Sequence, residues 1–250
     1  VHKLIKKLGQ NLLRDTKIAD VMVNALDLQT DDVVMEIGPG GGVLTHRILA
    51  HNAVDFLAVE YDPRFAEDLK KLYEMNPRVT IVHNNVLKWF PQNIPQKKYK
   101  VIGSLPYYIT SPIVHMLIKA DPRPDISVIM TQKEVAEKIA TQIPDSSYLS
   151  IFVQTFFDVN VLAVVTRDKF VPAPKVDSAV VRLDRKDAFV PKELVRKYEG
   201  FLHKGYTSPR KMLNKVFAPE LLEKINIDPN LRPQNLTVED WLKLFYSLYN

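Results

Sequence analysis

The sequence predicts an α/β chain in two parts, an open doubly wound parallel sheet ending in an antiparallel hairpin and then a small all-helical domain. Three observations support this. Short β-rich runs alternate with helical periods from residue 32 to residue 141, the pattern of strand–helix–strand units. Four of the eight glycines fall in one loop, Gly38-Pro39-Gly40-Gly41-Gly42, directly after the first such run. Beyond Pro191 only helical periodicity remains.

Taken in order, the chain opens on a basic tail that turns at Gly9, and Asp15 or Thr16 caps a helix with Ile18, Val21, Met22, Ala25 and Leu26 on one face. Residues 32–37 form a buried strand, and Val43, Leu44, Ile48 and Leu49 give a helical face beyond the glycine loop. Residues 56–60 are the second strand, and 63–75 a helix with Pro63 at its start. The third, fourth and fifth strands are expected at 79–82, 99–102 and 126–130, with helices at 112–118 and 133–141. Residues 150–157 and 159–166 read as two strands joined by a tight turn, and 178–183 as one more. Helices are expected at 194–203, 208–216, 219–225 and 237–249, the last opened by a capping-box pattern, Thr237 to Asp240. The domain cut is placed at 187/188. A hairpin at the end of a parallel sheet is the methyltransferase variant of the doubly wound, Rossmann-like fold.

With 250 residues the chain is long enough for one large domain and a small one. It has no cysteine, which excludes disulfides, thiolate catalysis and Cys-based metal sites and fits a cytoplasmic protein. The six histidines lack metal-ligand spacing, so no metal is expected. No apolar run approaches the roughly 20 residues of a membrane span, and no signal-type apolar core is seen near residue 1. Net charge is only +5, but it is unevenly placed. Residues 185–215 hold nine Lys and Arg against three acids, and residues 1–17 hold five against one. Such concentration points to a polyanionic partner.

The loop after the first strand has the form Glu36-x-Gly38-x-Gly40-x-Gly42. Glycines there permit positive φ and let the backbone approach a ligand closely. A dinucleotide fingerprint would need glycine where Val43 stands, and no Gly-Lys-Ser/Thr follows for a triphosphate loop. Glu60 ends the second strand 22 residues after Gly38, placed to accept both hydroxyls of a ribose. A ribose acid without the pyrophosphate fingerprint favours S-adenosylmethionine over a nicotinamide dinucleotide. Asn84, Asn85 and Val86 close the third strand, where an amide and an apolar side chain suit an adenine ring.

Gly103-Ser104-Leu105-Pro106-Tyr107 ends the fourth strand. Proline lacks an N–H and stops the ladder, leaving a polar side chain, a carbonyl and an aromatic ring at the sheet's carboxyl edge, where ligands bind in such folds. An exocyclic adenine amine is a poor nucleophile because its lone pair is delocalised. A polar side chain and the next carbonyl accept its protons, and a ring stacks on the base. No strong general base is needed, since the alkylated nitrogen becomes acidic.

Leu8-Gly9-Gln10-Asn11-Leu12-Leu13, Glu36-Ile37-Gly38-Pro39-Gly40, Ser104-Leu105-Pro106-Tyr107, Gln132-Lys133-Glu134-Val135 and Phe170-x-Pro172-x-Pro174-Lys175-Val176-Asp177-Ser178-Ala179-Val180-Val181 occur in that order. Together they resemble the ribosomal RNA adenine dimethyltransferase family over nearly the whole chain. The resemblance implies that Gln10, Asn11 and Leu13 border the methionine end of the cofactor, with Glu36, Gly38 and Gly40 in its loop. It implies Glu60 at the ribose, Asn85 and Val86 at the adenine, and Ser104 at the edge of both cofactor and target. Ser104, Leu105 and Pro106 would hold the amine, with Tyr107 and Phe170 stacking on the base. Lys204, Tyr206, Arg210 and Lys211 mix cations with an aromatic as RNA-contacting surfaces do. The implied substrate is small-subunit ribosomal RNA within a particle, bound by a monomer. Asp177 favours that branch over the resistance enzymes acting on large-subunit RNA, which more often carry Asn there. A non-catalytic RNA-binding assembly factor on the same fold is the alternative of another class. Three positions depart from the family pattern: Ser104 stands for the usual Asn, Asn85 for the usual Asp and Tyr108 for a frequent Asn.

Overall fold

The computed structural model describes residues 2, 4–5, 9–51, 55–187 and 190–249. Lys3, Lys6, Lys7 and Leu8 of the basic N-terminal stretch, and Ala188 and Phe189 at the expected domain cut, lie outside the described residues. In chain order the elements are β1 (Leu12–Leu13), α1 (Thr16–Asn24), β2 (Val33–Ile37), α2 (Val43–Ala50), β3 (Asp55–Glu60), α3 (Pro63–Tyr73), β4 (Val79–His83), α4 (Val86–Trp89) and β5 (Tyr99–Ser104). They continue as α5 (Thr110–Lys119), β6 (Ile126–Gln132), α6 (Lys133–Ala140), α7 (Tyr148–Gln154), β7 (Phe157–Val165), β8 (Phe170–Val171), β9 (Ser178–Arg185), α8 (Val195–Tyr206), α9 (Pro219–Lys224) and α10 (Val238–Tyr249).

Seven strands form one sheet in the order β4-β3-β2-β5-β6-β9-β7. From β4 to β6 the pairs are parallel, and β9 runs antiparallel to β6. The central strands are buried on both faces (Val34, Met35, Val101, Ile102, Val128 and Ile129 are inaccessible), which is why they read as continuous apolar runs. The chain leaves β2 towards β3 and β4 on one side, then resumes with β5 and β6 on the other. The switch point therefore lies between β2 and β5, and their carboxyl ends border the crevice where such sheets bind ligands. A separate antiparallel pair joins β1 to β8, with Leu13 opposite Phe170. It brings the N-terminal Gln10-Asn11 motif beside the Phe170 motif, 157 positions or more apart in sequence.

Three expectations are corrected. Residues 148–154 are a helix, not the first strand of a hairpin, and β7 is one uninterrupted strand. The side chain of Ser147 accepts from Ser150 N–H while the Ser150 hydroxyl accepts from Ser147 N–H, a reciprocal cap that starts the helix. Complete burial of Phe152 and Val153 hides the amphipathic period, so an apolar run reads equally as strand or buried helix. Residues 208–216 are turns around a single 3-10 turn, Leu213–Lys215, rather than a helix. No side chain caps its start, and Lys211 N–H closes a turn on the Ser208 carbonyl. Of the face expected for α1 and the turn after it, Met22 and Leu26 are buried and Ile18 and Ala25 pack partly buried against the core, but Val21 is exposed while Ala19 and Val23 are buried.

Two compact units emerge, Val1–Ala136 with Asn160–Arg185, and Glu137–Val159 with Lys186–Asn250. A single cut at 187/188 does not describe this division, because residues 137–159 belong with the helical unit. Within that unit Phe201, Phe217, Trp241 and Phe245 form an aromatic core, Phe201 lying 5.7 Å from Trp241 and 5.5 Å from Phe245 between ring centroids. Thr237 and Asp240 exchange hydrogen bonds at the start of α10, Thr237 N–H to the carboxylate and Asp240 N–H to the hydroxyl. Among the described residues no helix is long and apolar enough to cross a membrane.

Candidate active site

A cavity of about 400 Å³ opens at the carboxyl ends of β2, β3 and β5. Each wall has a local cause. After β2 the chain must turn sharply, and Gly38, Gly40 and Gly42 all take positive φ, +66°, +51° and +80°, where a Cβ is strained. This turn aims the Gly40 N–H at Glu60 Oε2, 2.9 Å away. The other carboxylate oxygen of Glu60 accepts from Asp62 N–H at 2.7 Å. Each oxygen keeps a further acceptor position, so a vicinal diol at the cavity face has a two-oxygen partner. Burial raises the Glu60 pKa, opposed by those backbone donors.

Asp62 is the main element that sequence reasoning missed. It is 1% exposed, lines the cavity, and caps α3 by accepting from Arg64 N–H. The Arg64 guanidinium, and then the Gln10 amide at 2.8 Å, hold its carboxyl well below the usual carboxylate range. Gln10 Oε1 also accepts from Ile5 N–H at 2.7 Å, so Gln10 ties the N-terminal stretch to the cavity wall. The Asp62-Pro63 pair, an N-cap before a helix-starting proline, was the available signal. Tyr61 and Phe65 complete this wall.

At the end of β4, Asn85 caps α4, its side-chain oxygen accepting from Leu87 N–H at 3.0 Å. Asn84, Asn85 and Val86 all face the cavity. Opposite them β5 ends at Ser104, and Leu105 N–H reaches across to the Met130 carbonyl at 3.0 Å. Among the described residues no backbone amide donates to the Leu105 carbonyl, whereas Pro106's accepts from Ile109 N–H. Proline supplies no donor that could close the ladder there. Tyr107 begins a 3-10 turn, Tyr107–Ile109, and its hydroxyl lies 2.8 Å from Ser178 Oγ. Burial pushes its phenol up. Phe170, 4% exposed on β8, lines the same cavity.

Gln10, Asn11, Gly38, Gly40, Glu60, Asn85, Val86, Ser104, Leu105, Pro106, Tyr107 and Phe170 are thus brought to one cavity. Two expected residues are not. Leu13 turns into the core, and Leu12 lines the cavity instead, as side-chain alternation along a strand requires. Glu36 sits beneath the loop, 1% exposed, its carboxyl accepting from Thr45 Oγ1 at 2.6 Å. Burial pushes its pKa up to about 8. Of the expected RNA-contacting residues, Lys204, Arg210 and Lys211 are exposed. Tyr206 is not a free platform: its ring stacks on Trp241 at 5.3 Å and its hydroxyl bonds Ser146 Oγ and the Pro233 carbonyl. Among the described residues no group of three or more His, Asp or Glu is arranged to hold a metal ion.

The donor set fits S-adenosylmethionine: a two-oxygen acceptor for the ribose, an Asn–Val pair for the adenine, and a glycine turn with adjoining polar groups for the amino-acid end. The family model described as Ribosomal RNA adenine dimethylase matches residues 1–250. A Ribosomal RNA small subunit methyltransferase A from a Sulfurihydrogenibium species is 34% identical over 98% of this chain and 96% of its own length. Among solved structures, a dimethyladenosine transferase from Plasmodium falciparum superposes with a TM-score of 0.80 at 27% identity, over 93% of this chain and 95% of that one. The 23S rRNA methyltransferase ErmE superposes with a TM-score of 0.76 at 27% identity, over 96% of this chain and 100% of that one. The chain belongs to the ribosomal RNA adenine dimethylase family and is an S-adenosylmethionine-dependent methyltransferase acting on ribosomal RNA.

Proposed function

We propose that this protein methylates the N6 amine of adenosines in small-subunit ribosomal RNA, giving N6,N6-dimethyladenosine during maturation of that subunit. The observation that carries the proposal is the Ser104–Tyr107 strand end facing the same cavity as the glycine turn, Glu60 and Asn85. The cofactor supplies an electrophilic methyl group carried on a sulfonium. Glu60 accepts from its ribose, Asn85 and Val86 border its adenine, and Gln10, Asn11 and the Gly38–Gly40 turn border its amino-acid end. Ser104 Oγ and the uncommitted Leu105 carbonyl accept hydrogen bonds from the target amine, concentrating its lone pair towards the methyl. Tyr107 and Phe170 supply the aromatic walls for an extruded base, which is the only form in which a stacked adenine can reach such a site. The alkylated nitrogen loses its proton to an acceptor as weak as water.

Lys204, Arg210 and Lys211 contribute phosphate contacts. Because the substrate is an RNA assembled with proteins, we place the enzyme in the cytoplasm, acting as a monomer on a small-subunit particle. The relative named for the small subunit, 34% identical over 98% of this chain, and Asp177 support the small-subunit substrate. Transfer of labelled methyl from the cofactor to unmodified small-subunit particles, with large-subunit RNA as the comparison, tests this. Incorporation only into large-subunit RNA reassigns the substrate. Cofactor binding without incorporation into either overturns the catalytic reading.

A further inference from the structure

The Tyr107 ring comes from a short turn rather than a strand, so something must hold it at the angle stacking requires. Its hydroxyl reaches Ser178 Oγ, 2.8 Å away. Ser178 is fully buried, opens β9, and pairs across the ladder with Gln132 of β6. One position along the same strand pair, Thr131 stands opposite Ala179, and Thr131 Oγ1 lies 2.7 Å from Thr110 Oγ1. Both threonines are 1% exposed or less. The turn at Tyr107–Ile109 is therefore fastened at both ends to the antiparallel β6–β9 ladder, by a part-buried hydroxyl pair at Tyr107 and a buried one at Thr110.

We infer that Ser178 is a positioning residue for methyl transfer, holding the Tyr107 ring by its hydroxyl so that the ring face meets the extruded base. This rests on the stacking role proposed above for Tyr107. It also gives the reversed strand β9 a task at the site, although Ser178 stands 71 positions from the residue it orients. A hydroxyl pair with one partner fully buried fixes direction as well as distance. Without it the ring still lines the cavity but samples several orientations, and positional looseness of this kind lowers rate more than affinity.

The test is a double-mutant cycle on the full chain with Ser178→Ala and Tyr107→Phe, which remove the same hydrogen bond from its two ends. Each single variant should lower kcat about tenfold, the scale of one hydrogen bond. Cofactor Kd should stay within about twofold. The double variant should be no worse than either single one, because only one interaction is lost. Multiplicative losses, or a fully active Ser178→Ala, overturn the inference. A second readout needs no activity: in protein carrying ring-labelled tyrosine, Ser178→Ala should speed flipping of the Tyr107 ring, whose resonance is identified by its absence in Tyr107→Phe. Unchanged ring dynamics overturn the inference, whereas absent methyl transfer by the unaltered protein counts against the proposed reaction alone.

Discussion

Glu36, one residue before the end of β2, and Glu60, the last residue of β3, carry the same carboxyl group on adjacent strands, and their surroundings give them different tasks. Glu60 reaches the cavity and meets two backbone amides. Glu36 points beneath the loop, where burial outweighs the Thr45 hydrogen bond and the Glu60 charge adds to the upward shift. The consequence for stability has a definite sign. The native pKa of about 8 lies above the reference of 4.5, so between those values the folded state holds a proton that the unfolded chain has lost. The contribution is complete below 4.5 and is lost as pH rises through about 8, with a slope of at most ~1.4 kcal/mol per pH unit. Glu36→Gln should flatten that fall, measured by urea unfolding from about pH 5 to about pH 9 against the unaltered protein. The sequence made Glu60 legible by its distance from Gly38. It misassigned Glu36, because adjacency to a glycine loop does not say which way a side chain turns. Asp62 was hidden because its capping pattern looks the same whether or not a ligand lies beside it.

At the scale of elements, parallel strands were readable because both faces are buried, and capped or proline-started helices because their end chemistry is local. The helix α7 was misread for the converse reason, its exposed face being too small to show a period. Close approach of β2 and β5 also leaves a mark. A Cβ on Gly103 would lie 2.7 Å from the Ile37 carbonyl oxygen, a backbone atom that cannot move alone. Gly103→Ala should destabilise by about 1–3 kcal/mol, as overpacking does, and should lower kcat by displacing Ser104. Gly200, inside α8, gives the opposite sign, because a methyl there would meet nothing within 4 Å. Gly200→Ala should stabilise by about 0.5–1 kcal/mol. Thermal unfolding of the two variants side by side checks both.

For the whole molecule, composition and motif order made the two-part design legible, but not the route of the chain. Periodicity treats a domain as a continuous stretch, whereas Glu137–Val159 belongs with Lys186–Asn250. In that unit the Lys186 ammonium donates to the Gln154 carbonyl at 3.1 Å, and the buried side chains of α7 include Leu149, Ile151, Phe152 and Val153. A chain ending at residue 187 would retain α7 without α8, exposing that apolar surface. It should be poorly soluble and bind a hydrophobic dye, while a variant lacking 137–159 as well should bind less. Equal dye binding by the two would contradict the assignment of α7 to the helical unit.

The reaction itself is tested most directly by nucleoside mass spectrometry of small-subunit RNA after treatment with the unaltered protein and with Tyr107→Ala. The unaltered protein should yield N6,N6-dimethyladenosine. Tyr107→Ala should yield none, while binding S-adenosylmethionine with nearly unchanged affinity. Dimethyladenosine formed at an undiminished rate by Tyr107→Ala, or methylation by the unaltered protein at a ring nitrogen instead of N6, would contradict a site built around the Ser104–Tyr107 strand end.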